Sequence, residues 1–334
     1  MAELTKGYAT SHSPMLLAYD DELLRLADRD KADLLPFRDA DGNRITYAQV
    51  LAAADPAIAE KATDDKMLAR AEECRVSTAK LREQIAAAGL DALIIIGDDQ
   101  DELLKKDNRP SLAIFYGETS VNALPPDMSG MPEWLVKIRS RFYSEDPKAY
   151  PNHRPLAAHL IHHLMENDFD PGAFDEYPKH GGGGEGHAFA YIHSRIMDQD
   201  NPIPVVPVLL NTFYWPNKVT PRRAWMIGEA IARAVADFPE DIKVGIVASG
   251  GLSHFMVDEE LDAKVIEAFE TGDRDKIMTL PRERYIDGTS EILNWICVAG
   301  AMSVAGKGLD WLDYVPGYRS PAGTGVGLAF AAWS

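Results

Sequence analysis

Three short runs dominated by apolar residues constrain the fold of this chain more than any other feature. They cover residues 92–96, 203–210 and 243–248, and each is bounded by glycine, proline or polar residues. A continuous apolar run of this length is typical of a strand buried on both faces of a sheet. Residues 222–237, between the second and third runs, carry apolar side chains at helical spacing. This alternation predicts an α/β protein whose central sheet is covered by helices on both faces.

Size and composition narrow the classes of protein to consider. With 334 residues, 46% of them hydrophobic, the chain can bury a large core. We expect a single domain over residues 1–334 with a mostly helical insert at about residues 18–85. The net charge of −18 argues against partners such as nucleic acid, and no apolar run approaches the roughly 20 residues that cross a bilayer. Only Cys74 and Cys297 occur, so we expect no disulfides and a cytoplasmic protein.

Local signals predict the remaining elements. The first residues form a strand that ends at Thr10, and a helix covers residues 63–88, closed by Gly89. Thr289 or Ser290 can cap a helix that runs to about Gly300. The apolar positions of the 63–88 helix are Met67, Leu68, Val76, Leu81 and Ile85. Further helices are predicted over 155–167 and 187–197, and a loop over 171–186.

Three of the predicted strands end in polar residues that can carry chemistry. The first is followed by Ser11-His12-Ser13-Pro14, the second by Gly97 to Glu102, and the third by Ser249 to His254. The carboxyl ends of parallel strands meet at one edge of a sheet, where α/β proteins bind their ligands. A single loop histidine is more often a surface residue than a ligand, but three such ends can form one cleft, and Glu291 at a helix start can join them.

The segments 11–14, 248–254 and 289–291 resemble, in sequence and order, those of the class III extradiol ring-cleavage dioxygenases. The similarity is to the β subunit of protocatechuate 4,5-dioxygenase and, more closely, to single-chain members of the 3-O-methylgallate type. It extends over most of the chain except roughly residues 18–85. The resemblance implies a three-layer α/β/α fold with a central mixed sheet, and homodimeric or higher assembly.

The resemblance also implies a site that holds iron(II) between two histidines and a carboxylate. His12 matches the first histidine ligand and Glu291 the carboxylate. His254 matches the catalytic histidine, which removes and returns protons; an unperturbed pKa of about 6.5 suits that task. His187 matches a second catalytic-site histidine that contacts the bound ring. The implied partners are a small aromatic substrate and O2.

One position departs from this pattern. The second histidine ligand of the family falls on Gln100, whose amide oxygen is a weaker donor to iron(II) than an imidazole. Gln100 itself can bind the metal, or His180, Asp98 or Asp101 can replace it. Alternatively the metal is absent or altered.

Other candidate motifs have simpler explanations. His159 and His163 stand four residues apart on a predicted helix, as zinc ligands can, but they flank a stripe formed by Leu156, Leu160 and Leu164 and are better explained as surface or hydrogen-bonded residues. The glycines of 181–184 can form an anion-binding or lid loop or an ordinary flexible loop. Residues 323–327 only superficially resemble a dinucleotide-binding loop.

Two functions follow from these features. The first is iron(II)-dependent extradiol cleavage of a catechol- or gallate-type aromatic acid. The alternative is a hydrolase or carbon–carbon lyase on the same scaffold, using His254 and His187 with an altered or absent metal. An anionic substrate needs a cation, for which we considered Arg195, Lys218, Arg222 and Arg223.

Overall fold

The computed structural model describes residues 1–39, 42–125 and 127–334. The strands within these ranges are β1 (Glu3–Thr10), β2 (Ala92–Asp98), β3 (Leu112–Phe115), β4 (Thr119–Asn122), β5 (Lys148–Pro151), β6 (Gly172–Phe174), β7 (Val205–Leu210), β8 (Lys243–Ser249), β9 (His254–Met256), β10 (Leu309–Tyr318) and β11 (Thr324–Trp333).

The α-helices within the same ranges are α1 (Pro14–Leu17), α2 (Asp20–Leu24), α3 (Leu26–Lys31), α4 (Tyr47–Ala53), α5 (Ile58–Lys61), α6 (Asp64–Ala87), α7 (Glu133–Ser140), α8 (Arg154–Glu166), α9 (His187–Tyr191), α10 (Pro221–Asp237), α11 (Glu259–Thr271), α12 (Arg274–Met278) and α13 (Ile292–Val304). Short 3-10 turns cover Lys179–Gly181, Arg282–Arg284 and Asp287–Glu291, and α9 continues as a π-helix over Ile192–Ile196.

The main sheet is mixed. Its strand order is β10-β11-β1-β8-β2-β7-β3-β6, and β9 pairs with β11. The four central strands β1, β8, β2 and β7 are mutually parallel, whereas β11 and β3 run antiparallel to them on either side. The predicted central mixed sheet is therefore confirmed.

Helices cover both faces of this sheet, as the strand β2 shows residue by residue. Ile94 and Ile96 belong to a core that includes residues of α8, α10 and α13. Leu93 and Ile95, which point the other way, belong to a second core that includes residues of α6 and α9. Since alternate side chains of a strand point to opposite faces, β2 lies between two helical layers. The three-layer α/β/α fold is confirmed.

The predicted elements agree with the structure except at three places. The loop predicted over 171–186 contains β6, an edge strand of three residues that is too short to show an alternating pattern. Val76 of α6 is exposed rather than inward. The helix predicted to start at Thr289 or Ser290 begins at Ile292, and neither hydroxyl caps it. The Ser290 hydroxyl donates instead to the Asp287 carbonyl, which closes the 3-10 turn.

Helices α10 and α13 approach each other at two glycines. A Cβ added at Gly228 would lie 1.9 Å from the Cys297 carbonyl oxygen, and one added at Gly300 would lie 2.4 Å from the Trp225 carbonyl oxygen. These neighbours are backbone atoms, which cannot move aside by changing a rotamer. The absence of a side chain at both positions is therefore what sets the separation of the two helices.

We expect Gly228→Ala to lower the free energy of unfolding by about 3 kcal/mol, because the added methyl group forces the two helices apart. Urea unfolding followed by circular dichroism measures the effect. Gly308→Ala is the matched control, since its added Cβ meets no described atom within 4 Å. Equal unfolding midpoints for the two variants would contradict this packing argument.

None of the helices in the described residues is both long enough and apolar enough to cross a membrane.

Candidate active site

The carboxyl ends of three parallel strands lie side by side. Thr10, at the end of β1, is in register with Ser249 of β8, and Ala248 is in register with Ile96 of β2. His12 follows β1 by two residues and Gln100 follows β2 by two. The convergence of strand ends expected from the sequence is present, and it places these side chains at one edge of the sheet.

Glu291 enters this edge from the 3-10 turn before α13. Its side chain is buried, and its Oε2 accepts a hydrogen bond of 2.8 Å from the Gly251 backbone N–H. The preceding Gly250 has a φ of +147°, and a Cβ there would lie 2.9 Å from the Cβ of Glu291. The two glycines after β8 therefore let the backbone approach and bind the carboxylate.

His12 has its ring orientation fixed by Ser249. The Ser249 hydroxyl donates to the Ala188 carbonyl at 2.7 Å, so its oxygen accepts from His12 Nδ1 at 2.9 Å. Nδ1 then carries the proton, and the lone pair of Nε2 is free. That Nε2 lies 3.5 Å from Glu291 Oε2. A hydrogen bond on the far ring nitrogen is the usual support for a metal-binding histidine.

His254 approaches the same carboxylate oxygen from β9. Its Nε2 lies 3.2 Å from Glu291 Oε2, and its Nδ1 donates to the Leu252 carbonyl at 2.9 Å. A Cβ at Gly288 would lie 2.7 Å from the Cβ of His254, so that glycine leaves room for the ring. The Thr289 hydroxyl accepts from the His254 backbone N–H at 2.9 Å. These contacts fix the ring with Nε2 directed into the site.

His187 enters from the first position of α9 and is held by Glu102. Its Nδ1 lies 2.7 Å from Glu102 Oε2, and its backbone N–H donates to Oε1 of the same carboxylate at 3.1 Å. Its Nε2 lies 3.1 Å from the Nε2 of His12. The two imidazoles therefore face each other through the nitrogens that are not engaged elsewhere.

Gln100 lies between two carboxylates. Its Nε2 donates to Asp98 Oδ2 and to Glu291 Oε1, at 3.1 Å each. Asp98 is fully buried and also receives a 3.4 Å contact from the amide nitrogen of Asn294. His12, Asp98, His187 and Glu291 each offer a ligating atom, and these four atoms all lie within 4.8 Å of one another.

The buried carboxylates and histidines of this cluster shift one another's pKa values. Burial would raise the pKa of Glu291, but the adjacent His254 and His12 hold it well below its usual value. Burial would lower the pKa of His187, yet Glu102 raises it to about 9. Burial, reinforced by the charge of Glu291, raises the pKa of Asp98. The site therefore favours cations, since its buried carboxylates attract positive charge.

A cavity of about 200 Å3 opens onto these side chains. It is smaller than the roughly 300–1,000 Å3 of typical drug-sized pockets, which suits a single-ring ligand. Leu35 and Arg29, from the segment predicted to be an insert, form part of its wall. Its other lining residues are His12, Ser13, Pro14, Gln100, Arg139, Phe142, His187, His254, Phe255, Gly288, Glu291, Arg319 and Val326.

Five positions predicted from the sequence thus line one cavity, namely His12, Gln100, His187, His254 and Glu291. Two of the alternative ligands have other partners, because His180 Nε2 bonds to the Leu103 carbonyl at 3.0 Å and Asp101 pairs with Arg109. The two histidines with zinc-ligand spacing, His159 and His163, also have other partners. His159 Nε2 bonds to the Ala234 carbonyl at 2.9 Å, and His163 lies 3.5 Å from Asp237.

None of the four cations considered from the sequence lines this cavity. Arg195 lines a different one, Lys218 bonds to the Tyr285 carbonyl, Arg222 is exposed, and Arg223 stacks over Phe169. The cations present are Arg29, Arg139 and Arg319. The sequence placed Glu102 in a strand end that can carry chemistry, but it did not predict the contact of Glu102 with His187.

Fold and site together define an α/β protein with a buried histidine–carboxylate cluster suited to a divalent metal. Residues 73–328 match the family described as the catalytic LigB subunit of aromatic ring-opening dioxygenase. The chain belongs to this family, as its motifs predicted. It is also 30% identical over 164 residues to a gallate dioxygenase of Pseudomonas putida. That alignment covers 45% of this chain and 46% of the relative, so it spans about half the length of each.

Proposed function

We propose that the chain is a non-haem iron(II)-dependent extradiol ring-cleaving dioxygenase that acts on a catechol- or gallate-type aromatic acid. The observation that carries the proposal is the convergence of His12, His254 and Glu291 on one small cavity, with both Nε2 atoms within 3.5 Å of Glu291 Oε2. Membership of the ring-opening dioxygenase family supports the reaction class. The similarity to a gallate dioxygenase supports a hydroxylated aromatic acid as substrate.

The residues present fit iron(II). Imidazole and carboxylate donors with open positions are typical of non-haem iron(II) oxygenases. We propose His12 and Glu291 as ligands, since His12 presents an unprotonated Nε2 and Glu291 a buried oxygen to the same point. The ion, when bound, supplies Lewis acidity toward adjacent ring hydroxyls and electrons for the activation of O2.

His254 has the geometry of a general base. Its Nδ1–H is committed to the Leu252 carbonyl, which leaves Nε2 to accept a proton. Burial would lower the pKa of His254, but the Glu291 carboxylate outweighs burial and raises it. We propose that Nε2 takes the proton of a substrate hydroxyl and returns it later in the reaction.

Arg29 is the residue that we propose for binding the substrate carboxylate. Its Nε is buried and has no hydrogen-bond partner among the described residues, and the nearest carboxylate oxygen, Asp30 Oδ1, is 3.8 Å away. Arg319 differs, because Asp30 already neutralises it through hydrogen bonds of 2.9 and 3.2 Å. A buried N–H without a hydrogen-bond partner is costly, and a bound carboxylate would supply that partner.

The charges around Arg29 favour an anion in this part of the cavity. Burial and the nearby Arg319 lower the pKa of Arg29 to about 10, which still leaves it charged at neutral pH. Arg139 lines the same cavity and adds positive charge. Since Arg29 lies in α3, we propose one catalytic domain in which the insert of about residues 18–85 closes part of the substrate cavity.

Oxygen uptake tests this function. Apoprotein reconstituted anaerobically with iron(II) is expected to consume one O2 per substrate molecule on some member of a panel of catechols, gallates and dihydroxybenzoates. Monohydroxybenzoates are the matched controls, because they lack the second hydroxyl. Iron-loaded, folded protein that consumes no O2 with any member would refute the dioxygenase. Ring or side-chain cleavage without O2 would instead favour a hydrolase or carbon–carbon lyase.

A further inference from the structure

We infer that His187 supplies the second imidazole of the metal site, in place of a ligand at position 100. The site then consists of His12, His187 and Glu291, with Asp98 beside them. The inference rests on the proposed metal-dependent function. It replaces the ring-contacting role that the resemblance suggested for His187 and assigns Gln100 a positioning role.

The distances within the cluster match a metal site. Two ligands at right angles, each about 2.1 Å from a metal ion, lie about 3.0 Å apart. The Nε2 atoms of His12 and His187 are 3.1 Å apart, and His12 Nε2 is 3.5 Å from Glu291 Oε2. Ligating atoms of these three residues and of Asp98 all lie within 4.8 Å of one another. One ion can therefore reach three donors with small movements of side chains.

The hydrogen bonds on the far sides of both rings support the same arrangement. The Nδ1 of His12 bonds to Ser249 Oγ at 2.9 Å, and the Nδ1 of His187 bonds to Glu102 Oε2 at 2.7 Å. Each Nδ1 donates, so the two Nε2 atoms point toward each other at 3.1 Å. Two imidazole nitrogens this close need a shared proton or a metal ion between them, and a bound metal ion replaces the proton. A carboxylate behind a histidine is also a usual support for a metal ligand.

Gln100 presents the wrong atom for ligation. Carboxylates accept hydrogen bonds, so the amide group that contacts both Asp98 and Glu291 is its nitrogen, which has no lone pair for a metal. Through these two bonds of 3.1 Å, Gln100 links Asp98 to Glu291 and fixes the orientation of both carboxylates. Its contribution is to the geometry of the ligands.

Cobalt(II) titration of the full chain under anaerobic conditions tests the inference, with visible absorption as the readout. We expect His187→Gln to weaken cobalt binding by more than 100-fold, because outer-shell partners alone are worth about 10–100-fold. Gln100→Ala should weaken it by less than about 10-fold. His163→Gln, a change on the distant helix α8, is the matched control and should match the wild type. Retained affinity in His187→Gln together with lost binding in Gln100→Ala would overturn the inference.

A second variant and readout keep the test decisive if His187→Gln folds poorly. Glu102→Gln leaves the imidazole in place but weakens its support, and we expect a loss of about 10–100-fold in cobalt affinity. Pulsed electron paramagnetic resonance with copper(II) as probe should count two coordinated imidazoles in the wild type and one in His187→Gln. An unchanged count would refute the role of His187 as a ligand but would leave the proposed metal-dependent function intact. A wild-type chain that binds no cobalt, copper or iron would refute the proposed metal-dependent function as well.

Discussion

Replacement of His254 by glutamine is expected to lower kcat by about 10²–10⁴-fold on the best substrate of the panel, which is the usual contribution of a positioned general base. Glutamine occupies similar space but cannot accept a proton at neutral pH. Steady-state oxygen uptake with the iron(II)-reconstituted variant measures the loss. The iron content should stay near that of the wild type, because His254 is not one of the proposed ligands.

The kcat and the iron content of His254→Gln must be measured together to interpret this variant. A loss of activity that matches a loss of iron would mean that His254 acts as a ligand, and the proposed base would have to be abandoned. Unchanged kcat at full iron occupancy would also contradict the proposal, because His254 would then not be needed as a general base. His163→Gln, on α8 and outside the cavity, controls for general effects of histidine removal.

Arg29→Gln is expected to have the second largest effect, on substrate selection. A charge-assisted hydrogen bond to a carboxylate contributes about 1.5–3 kcal/mol, so kcat/KM for a carboxylated substrate should fall by roughly 10–150-fold. The kcat/KM for the methyl ester or the decarboxylated form of the same substrate should fall only slightly in Arg29→Gln. The ratio of the two kcat/KM values, in wild type and variant, is therefore the measurement.

Arg25→Gln is the matched control, since Arg25 directly precedes the same helix but lies over the ring of Trp134, outside the cavity. It should leave the ratio unchanged. An equal fall for carboxylated and neutral substrates in Arg29→Gln would indicate a general disturbance of the cavity and would contradict a carboxylate site. Arg319 is unsuitable for this test because its removal would strand the buried carboxylate of Asp30.

Sequence reasoning succeeded where chemistry is encoded within a few consecutive residues. His12 and His254 follow recognisable strand ends, and the glycines before His254 signal a tight approach of the backbone. The structure shows that Gly250 and Gly251 make room for Glu291 and His254. The fold followed from the apolar runs because a strand buried on both faces tolerates almost no polar residue.

Sequence reasoning failed where the role of a residue depends on a contact between distant parts of the chain. Glu102 and His187 are separated by 85 residues, and no local pattern pairs them. Arg29 lies in a polar segment to which the sequence assigned no role, and only folding places it at the cavity. The predicted cap Thr289 failed for a related reason, since its hydroxyl accepts a hydrogen bond from the distant His254 backbone.

The buried pair between Asp30 and Arg319 limits how this protein could be re-engineered. Asp30 belongs to the insert, whereas Arg319 follows β10 near the other end of the chain, and both side chains are almost fully buried. A graft that exchanged the insert for one from a relative, in order to change substrate preference, would leave the guanidinium of Arg319 in the interior without its counter-ion. Transplanted segments must therefore bring an acidic residue to the position of Asp30, or be combined with a neutral residue at 319.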